Sequence, residues 1–264
     1  MKLLLPTGAE GHIPQLPVQL LYTLDNPRPT DYSQFGNAVD IHGAYAIVGA
    51  HGYDQSKGAA YVYDTQTGAL LHTIDGDSLA VLGQCVAIYQ TRFIVGAHGN
   101  EKAFIRNNAT GGLLHTLSSP TATVGALFGH TVDIAEDYAI VGAMNETAIG
   151  WNNAGTAYIY DTSTGGLLHT IISQVPEEDA EFGEYVAISD THFIVGSPNE
   201  DSRSGVAYVY DNLTGDLVYT VSNPVFKANA QFGLSVAISD TTFTVGAPFA
   251  DNVSGLAYIY DITT

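Results

Sequence analysis

Five times along this chain a Phe-Gly step, or Leu-Gly in one case, stands at a fixed distance from a Val-Gly step. The first steps are Phe35-Gly36, Leu82-Gly83, Phe128-Gly129, Phe182-Gly183 and Phe232-Gly233. In each case the glycine of Val-Gly (Gly49, Gly96, Gly142, Gly196, Gly246) follows the first glycine by 13 residues. The Phe-Gly glycines are 47, 46, 54 and 50 residues apart. Self-similarity at this period is the mark of propellers and related arrays. It makes the 264 residues one domain rather than two.

Each 13-residue interval encloses two short alternating apolar runs, such as Val236 and Ile238, then Phe243 and Val245. Period-two alternation with β-branched residues predicts strands, here a and b, and the polar break Ser239-Asp240-Thr241 predicts a tight hairpin. A third strand, c, follows at Ala60–Tyr63, Ala103–Arg106, Ala157–Tyr160, Ala207–Tyr210 and Ala257–Tyr260. It ends in Asp or Asn, and after a Thr-Gly-containing connector a fourth strand, d, runs over Leu70–Ile74, Leu113–Leu117, Leu167–Ile171 and Leu217–Val221. In the connector the Asp or Asn side chain bonds locally and Gly supplies positive φ. The expected fold is all-β, a propeller of five blades, each a four-stranded antiparallel meander.

The fifth repeat has no d strand after Ala257–Tyr260, whereas an unmatched d-like strand, Val18–Asp25, opens the chain. Its Thr23 lies 13 residues before Gly36, as Thr116, Thr170 and Thr220 lie 13 before their glycines. The expectation is therefore a ring closed by residues 18–25 completing the last blade, which would remove both free edges. The predicted propeller spans 18–264, and residues 1–17, with three prolines, are expected to be an arm or linker.

These residues resemble the FG-GAP repeat of integrin α-subunit propellers and their bacterial relatives. Phe232-Gly233 and Gly246-Ala247-Pro248 carry both halves of the signature, and Gly196-Ser197-Pro198 is one step away. The resemblance implies a propeller, commonly of seven blades, with calcium held in an Asp-rich loop between strands a and b. Here those loops are as short as His42-Gly43-Ala44 or Ser189-Asp190-Thr191. Calcium takes about six to eight oxygens, so the family's metal sites do not carry over. No cofactor is expected; a weak calcium site on the acidic loops is the alternative.

The net charge is −19, from 8 basic and 27 acidic residues. Nucleic-acid binding rests on Lys and Arg neutralising phosphate, so DNA, RNA and anionic membranes are poor partners. No apolar run approaches the ~20 residues of a membrane span. Pro6 interrupts MKLLLP after three leucines, so no secretory signal is expected, although display outside the cell or on a particle is. The single cysteine, Cys85, reads as a small interior residue.

All length variation falls on the b–c and d–a loops, which share one end of the ring. From Val-Gly to the end of strand c the five spacings are 15, 11, 19, 15 and 15. Variable loops on a rigid scaffold are where binding residues concentrate. The candidate ligand-binding residues are the aromatics Tyr53, Trp151, Phe226 and Phe249 on that face. Tyr32 lies there too, as do the acidic stretches Glu177-Glu178-Asp179 with Glu181, and Asn199-Glu200-Asp201, read as solvated loops. His72, His115 and His169 sit on outer strands of three different blades, too far apart for one metal ion. Asp40, Asp133 and Glu184 on innermost strands are the residues a glycosidase would use, but Asp40 and Asp133 share one strand position, Ala in the other blades, while Glu184 sits at another. No Ser–His–Asp grouping or phosphate loop appears. The expected function is non-catalytic recognition of a protein or glycan. The alternatives are a structural or decoration component of a particle such as a phage virion, with residues 1–17 making assembly contacts, and a glycosidase.

Overall fold

The computed structural model describes residues 19–121 and 123–263, so the expected arm 1–17 lies outside it. Five antiparallel sheets follow one another as blades. Blade 1 is β1 (Val39–His42), β2 (Tyr45–Ala50), β3 (Ala59–Asp64) and β4 (Leu70–Asp75). Blade 2 is β5 (Val86–Tyr89), β6 (Arg92–Ala97), β7 (Lys102–Asn107) and β8 (Leu113–Ser118). Blade 3 is β9 (Val132–Ile134), β10 (Tyr138–Ala143), β11 (Thr156–Asp161) and β12 (Leu167–Ile171). Blade 4 is β13 (Tyr185–Ile188), β14 (His192–Ser197), β15 (Val206–Asp211) and β16 (Leu217–Ser222). Blade 5 has three strands, β17 (Ser235–Ile238), β18 (Thr242–Ala247) and β19 (Leu256–Asp261). Every sheet pairs in chain order, as a meander.

The two glycine steps hold the blades together. Within a blade the Phe-Gly N–H donates to the Val-Gly carbonyl, as from Gly83 to Gly96 (3.0 Å) and Gly183 to Gly196 (2.9 Å). Between blades, the Val-Gly glycine packs against the next blade's Phe-Gly carbonyl: Gly49 on Gly83, Gly96 on Gly129, Gly142 on Gly183, Gly196 on Gly233. A Cβ at any of these four would overlap the facing carbonyl oxygen. That double duty explains the invariant spacing of 13.

The faces that meet are of two kinds. Toward the following blade each sheet presents aliphatics such as Ile94 and Ile105. Toward the preceding blade it presents the Tyr-x-Tyr of strand c, as Tyr158 and Tyr160 do (Phe104 and Arg106 in blade 2), with the Phe of Phe-Gly leaning tilted or edge-on against the tyrosines. The central strands are buried on both faces and read as near-continuous apolar runs (Ala46-Ile-Val-Gly-Ala50). At one end of the blades the c–d turns bond back to the a–b turns, for example Thr162 N–H to Asp137 O (3.0 Å). As expected, Asp161 opens its c–d turn by accepting from the Ser163 and Thr164 amides (2.9 and 2.7 Å), and Gly165 follows at φ 70°. The Ser163 hydroxyl (2.6 Å), then the Thr164 amide, hold its carboxyl down at about 2.

The ring is not closed as expected. Innermost strands touch in the order β1, β5, β9, β13, β17, with no comparable contact from β17 back to β1. Among the described residues nothing pairs with the outer edge of β19, and residues 19–25 form no strand. They lie instead against blade 1. Leu24 joins Val48, Tyr61 and Tyr63; Tyr22 covers Gly68 and donates to the Gln66 carbonyl. Arg28 pairs with Asp75 and stacks 4.4 Å from the Tyr53 ring centroid. The physical reason is that blade 1 has an uncovered aromatic face, and these side chains cover its outer part. The d-strand reading of this segment holds in register: Tyr22 meets Gly68 as His72 meets Gly111, His115 meets Gly165 and His169 meets Gly215. The segment occupies the d position of a blade preceding blade 1, while blade 5 stays out of reach.

The glycine junction makes a sharp comparison. Gly196→Ala is expected to destabilise the chain by roughly 2–3 kcal/mol through overpacking. At Gly246 no carbonyl of another blade lies close among the described residues and the nearest atom is the rotatable Ser235 hydroxyl, so Gly246→Ala should cost below about 0.5 kcal/mol in the monomer. Thermal unfolding of the two variants at low concentration checks this; equal losses would contradict the junction.

Candidate functional site

The b–c and d–a loops form one continuous shelf at the opposite end from the tight turns. Each b–c loop offers its carbonyls to the next blade's d–a loop. Asn152 O accepts from Asp179 N–H, Asn153 O from Glu181 N–H and Ala154 O from Phe182 N–H (3.0, 3.0 and 2.9 Å). Arg203 O and Ser204 O accept from Gln231 and Phe232 (3.0 and 2.9 Å). In blade 2, whose loop is shortest, the Glu101 carboxylate does the same work, accepting from the Gly125, Leu127 and Phe128 amides.

To aim these carbonyls, the loops adopt left-handed backbone. Asp54, Gln55 and Ser56 have φ of 46°, 58° and 66°, and Asp201, Ser202 and Arg203 have 53°, 59° and 63°. Such residues cost roughly 1–2 kcal/mol each, offset by the shelf hydrogen bonds. Buried carboxylates add anchors. Glu146 accepts from the Tyr158 and Ser119 hydroxyls (2.6 and 3.2 Å), and Glu200 accepts from those of Tyr208 and Ser173. Glu200 therefore corrects the solvated reading of its stretch: it is buried, and burial raises its carboxyl above the usual range.

The candidate aromatics separate into two groups. Tyr53 is taken up in packing, under Arg28 and beside Leu24 and Phe35. Trp151, Phe226 and Phe249 stay exposed, at 48%, 66% and 42%. They flank one run of the shelf across blades 3 to 5. Asn152 and Asn153, beside Trp151, donate to Glu178 (3.4 Å) and Asp179 (2.7 Å). Those carboxylates line an acidic cleft of about 550 Å³ with Glu177, Glu181 and Arg203. Arg203 also lines the adjoining cleft of about 380 Å³, with Lys227, Gln231 and Phe249. The two clefts share Arg203: one is lined mainly by carboxylates and the other by Arg203, Lys227 and the Phe249 ring, with Trp151 next in sequence to the asparagines that bond the carboxylates. Exposed apolar residues recur along the other d–a loops (Tyr32, Leu79, Val124, Val175).

At the inner rim the structure adds groups that the sequence reading did not single out. His51 and His98 follow the Gly-Ala steps of blades 1 and 2, and His130 follows Phe128-Gly129. The His98 and His130 rings lie 5.3 Å apart, and burial pushes His98 down to about 4. The signal was a histidine at two equivalent repeat positions. Among the described residues no three His, Cys, Asp or Glu side chains converge as a metal site. His72, His115 and His169 each bond a carbonyl of the next blade's c–d turn (2.9, 3.0 and 3.2 Å).

Asp40 and Asp133 are occupied by backbone. Asp40 accepts from Ile41 and, across the junction, Ile88 (2.8 and 2.7 Å); Asp133 accepts from Ile134 and Ile188 (both 2.8 Å). They tie innermost strands of adjacent blades together. Cys85 lies at a similar junction, its thiol 3.4 Å from the Val132 carbonyl and pushed up by burial to about 11.

With this geometry in place the comparisons are decisive for the fold. The FG-GAP repeat family matches residues 29–63, 116–160 and 226–260. The chain carries FG-GAP repeats on a β-propeller fold. Hydrazine synthase of Kuenenia stuttgartiensis is similar in structure, with a TM-score of 0.59 at 12% identity. The match covers 85% of this chain and 58% of that one, so it speaks for the fold alone. No curated protein sequence matches.

Glu184 gives the FG-GAP shelf a pH dependence. Burial, then the nearby Glu181 charge, raises its carboxyl to about 7. The folded state thus holds a proton that the unfolded chain releases near pH 4.5. This contribution is fully present below that pH and is lost as pH rises through 7. Glu184→Gln should raise the unfolding midpoint at pH 8 by about 2 °C or more, and shift it little at pH 5. A midpoint difference independent of pH would contradict this.

Proposed function

We propose that this FG-GAP propeller is a non-catalytic recognition module that binds a protein or glycan in the paired clefts beside Trp151 and Phe249. The observation that carries the reading is the set of exposed aromatics fixed on a hydrogen-bonded shelf. Large apolar side chains held in water by a rigid backbone mark interaction surfaces. Aromatic rings lose little entropy on binding and stack on sugar faces or fill pockets of a partner. The clefts' mixed charge favours a ligand with polar groups of both kinds, or a neutral hydroxyl-rich one, over a polyanion. The engagement of Asp40 and Asp133 by backbone amides supports a reading without hydrolysis.

A role as a building block of a larger particle has its own support in the two uncovered blade faces at the opening of the arc. It is compatible with a loop face that engages a host.

The test is binding of the purified chain to glycan arrays and immobilised cell-envelope extracts. Trp151→Ala and Phe249→Ala should each weaken binding about tenfold or more, the usual weight of an aromatic anchor. Tyr53→Phe should leave it unchanged. Binding that survives both alanine substitutions places the ligand elsewhere, and no binding to either panel overturns the reading.

A further inference from the structure

The opening between blades 5 and 1 exposes two halves of a junction that the molecule completes four times elsewhere. Ile259 is 78% exposed, whereas its equivalents Val62, Ile105, Ile159 and Val209 are all 0%. On the facing side Val39 and Ile41 are 67% and 66% exposed, against 6% and 3% for Val86 and Ile88. The glycines tell the same story. Gly246 has no carbonyl of a next blade against it, and Gly36 has open space where Gly83, Gly129, Gly183 and Gly233 each meet a strand-c carbonyl of the preceding blade. Each exposed face is hollowed: about 620 Å³ on blade 5 beside Leu234, Leu256 and Ala257, and about 520 Å³ on blade 1 beside Leu20, Ile41 and Tyr63.

We infer that the occupant is a second copy of this chain, joined head to tail. Blade 5 of one copy packs on blade 1 of the other, and residues 19–25 of that other copy become the fourth strand of the docked blade. Three observations select this occupant. The aliphatic face of blade 5 is of the kind that packs on the next blade at every internal junction, and on blade 1 the innermost residues Val39 and Ile41 lack the partner that buries Val86 and Ile88, while Tyr61 and Tyr63 are already covered by Leu24 and Phe35. The d position beside blade 1 is already filled by residues 19–25, held by Tyr22, Leu24 and Arg28. A docking blade there must offer a free outer edge, and among the described residues blade 5 has three strands with the edge of β19 unpaired. Within one chain β17 makes no contact with β1 comparable to those between successive innermost strands. A separate molecule is free to approach either face. Strand pairing supplies hydrogen bonds and the sheet faces supply apolar burial. The contact is heterologous, so it builds a ring or a filament of copies.

The register follows from the complete blades, where Ala60 faces Ile74, Ala103 faces Leu117, Ala157 faces Ile171 and Ala207 faces Val221. By equivalence Ala257 of one copy faces Leu24 of the other. In a Cys85→Ser background, Leu24→Cys and Ala257→Cys are made as separate single-thiol chains, mixed and oxidised mildly. The expected result is a disulfide-linked heterodimer on mixing and far less homodimer of either chain alone. The doubly substituted chain should give mainly intermolecular links at about 50–100 μM. A link confined within single chains overturns the inference in favour of closure in one molecule, and no link at all overturns it outright. Light scattering of the unmodified chain should show mass rising with concentration. Ile259→Asp and Gly246→Ala, at an exposed side chain and at a glycine with no other blade against it, should hold the mass at one chain. Self-association undiminished by both would place the contact elsewhere.

Discussion

Every junction in this propeller depends on one contact: a glycine in strand b pressed against the carbonyl of the Phe-Gly step of the next blade. The contact brings two backbones closer than any side chain allows. The adjacent Ile, Val and Tyr side chains can then interdigitate across the gap, and the sheets pack dry on both faces. The same Phe-Gly step closes its own blade through the hydrogen bond to the Val-Gly carbonyl. Intrablade and interblade geometry are therefore fixed at the same few atoms. Length variation is excluded from that region and displaced to the b–c and d–a loops.

The displaced loops are irregular yet not loose. Their carbonyls are spent on the neighbouring blade's amides, and left-handed turns at Asp54–Ser56 and Asp201–Arg203 are tolerated to aim them. Buried Glu146 and Glu200 lock the longer loops onto tyrosines of strand c. A ligand that meets Trp151 and Phe249 thus meets a surface already ordered. Preorganisation of this kind lowers the cost of binding without adding contacts.

The blade count, the strands and both loop ends were legible in the sequence because the period carries them. The spacing of 13 from Thr23 to Gly36 even gave residues 19–25 their register beside Gly68. It did not give their sheet partner. Register is a property of one repeat, whereas closure depends on the angle summed over four junctions, and no residue spacing encodes that sum. For the site, exposure of Trp151, Phe226 and Phe249 followed from their place in variable loops. Tyr53 did not, because what covers it is Arg28, far away in sequence and outside the repeat. Glu200 misled for a related reason: its flanks Asn199 and Asp201 are polar, and its burial depends on Tyr208 and Ser173 in other elements.

Edge strands that face water in natural proteins are usually blunted by charge, proline or a bulge. β19 has none of these along Leu256-Ala-Tyr-Ile-Tyr260; only Asp261 at its end is charged. Next to it Ile259 stands in water where its four equivalents are sealed. In a chain with a net charge of −19, which keeps most of its surface polar, such an unguarded edge and face are costly to leave open. At the other lip of the opening, by contrast, residues 19–28 screen the outer part of blade 1 with Tyr22, Leu24 and Arg28 while Val39 and Ile41 near the axis remain bare. The two lips are unequally dressed, and what remains open on one is what an incomplete blade from the other would fill. The free edge is better understood as one side of a contact than as an end.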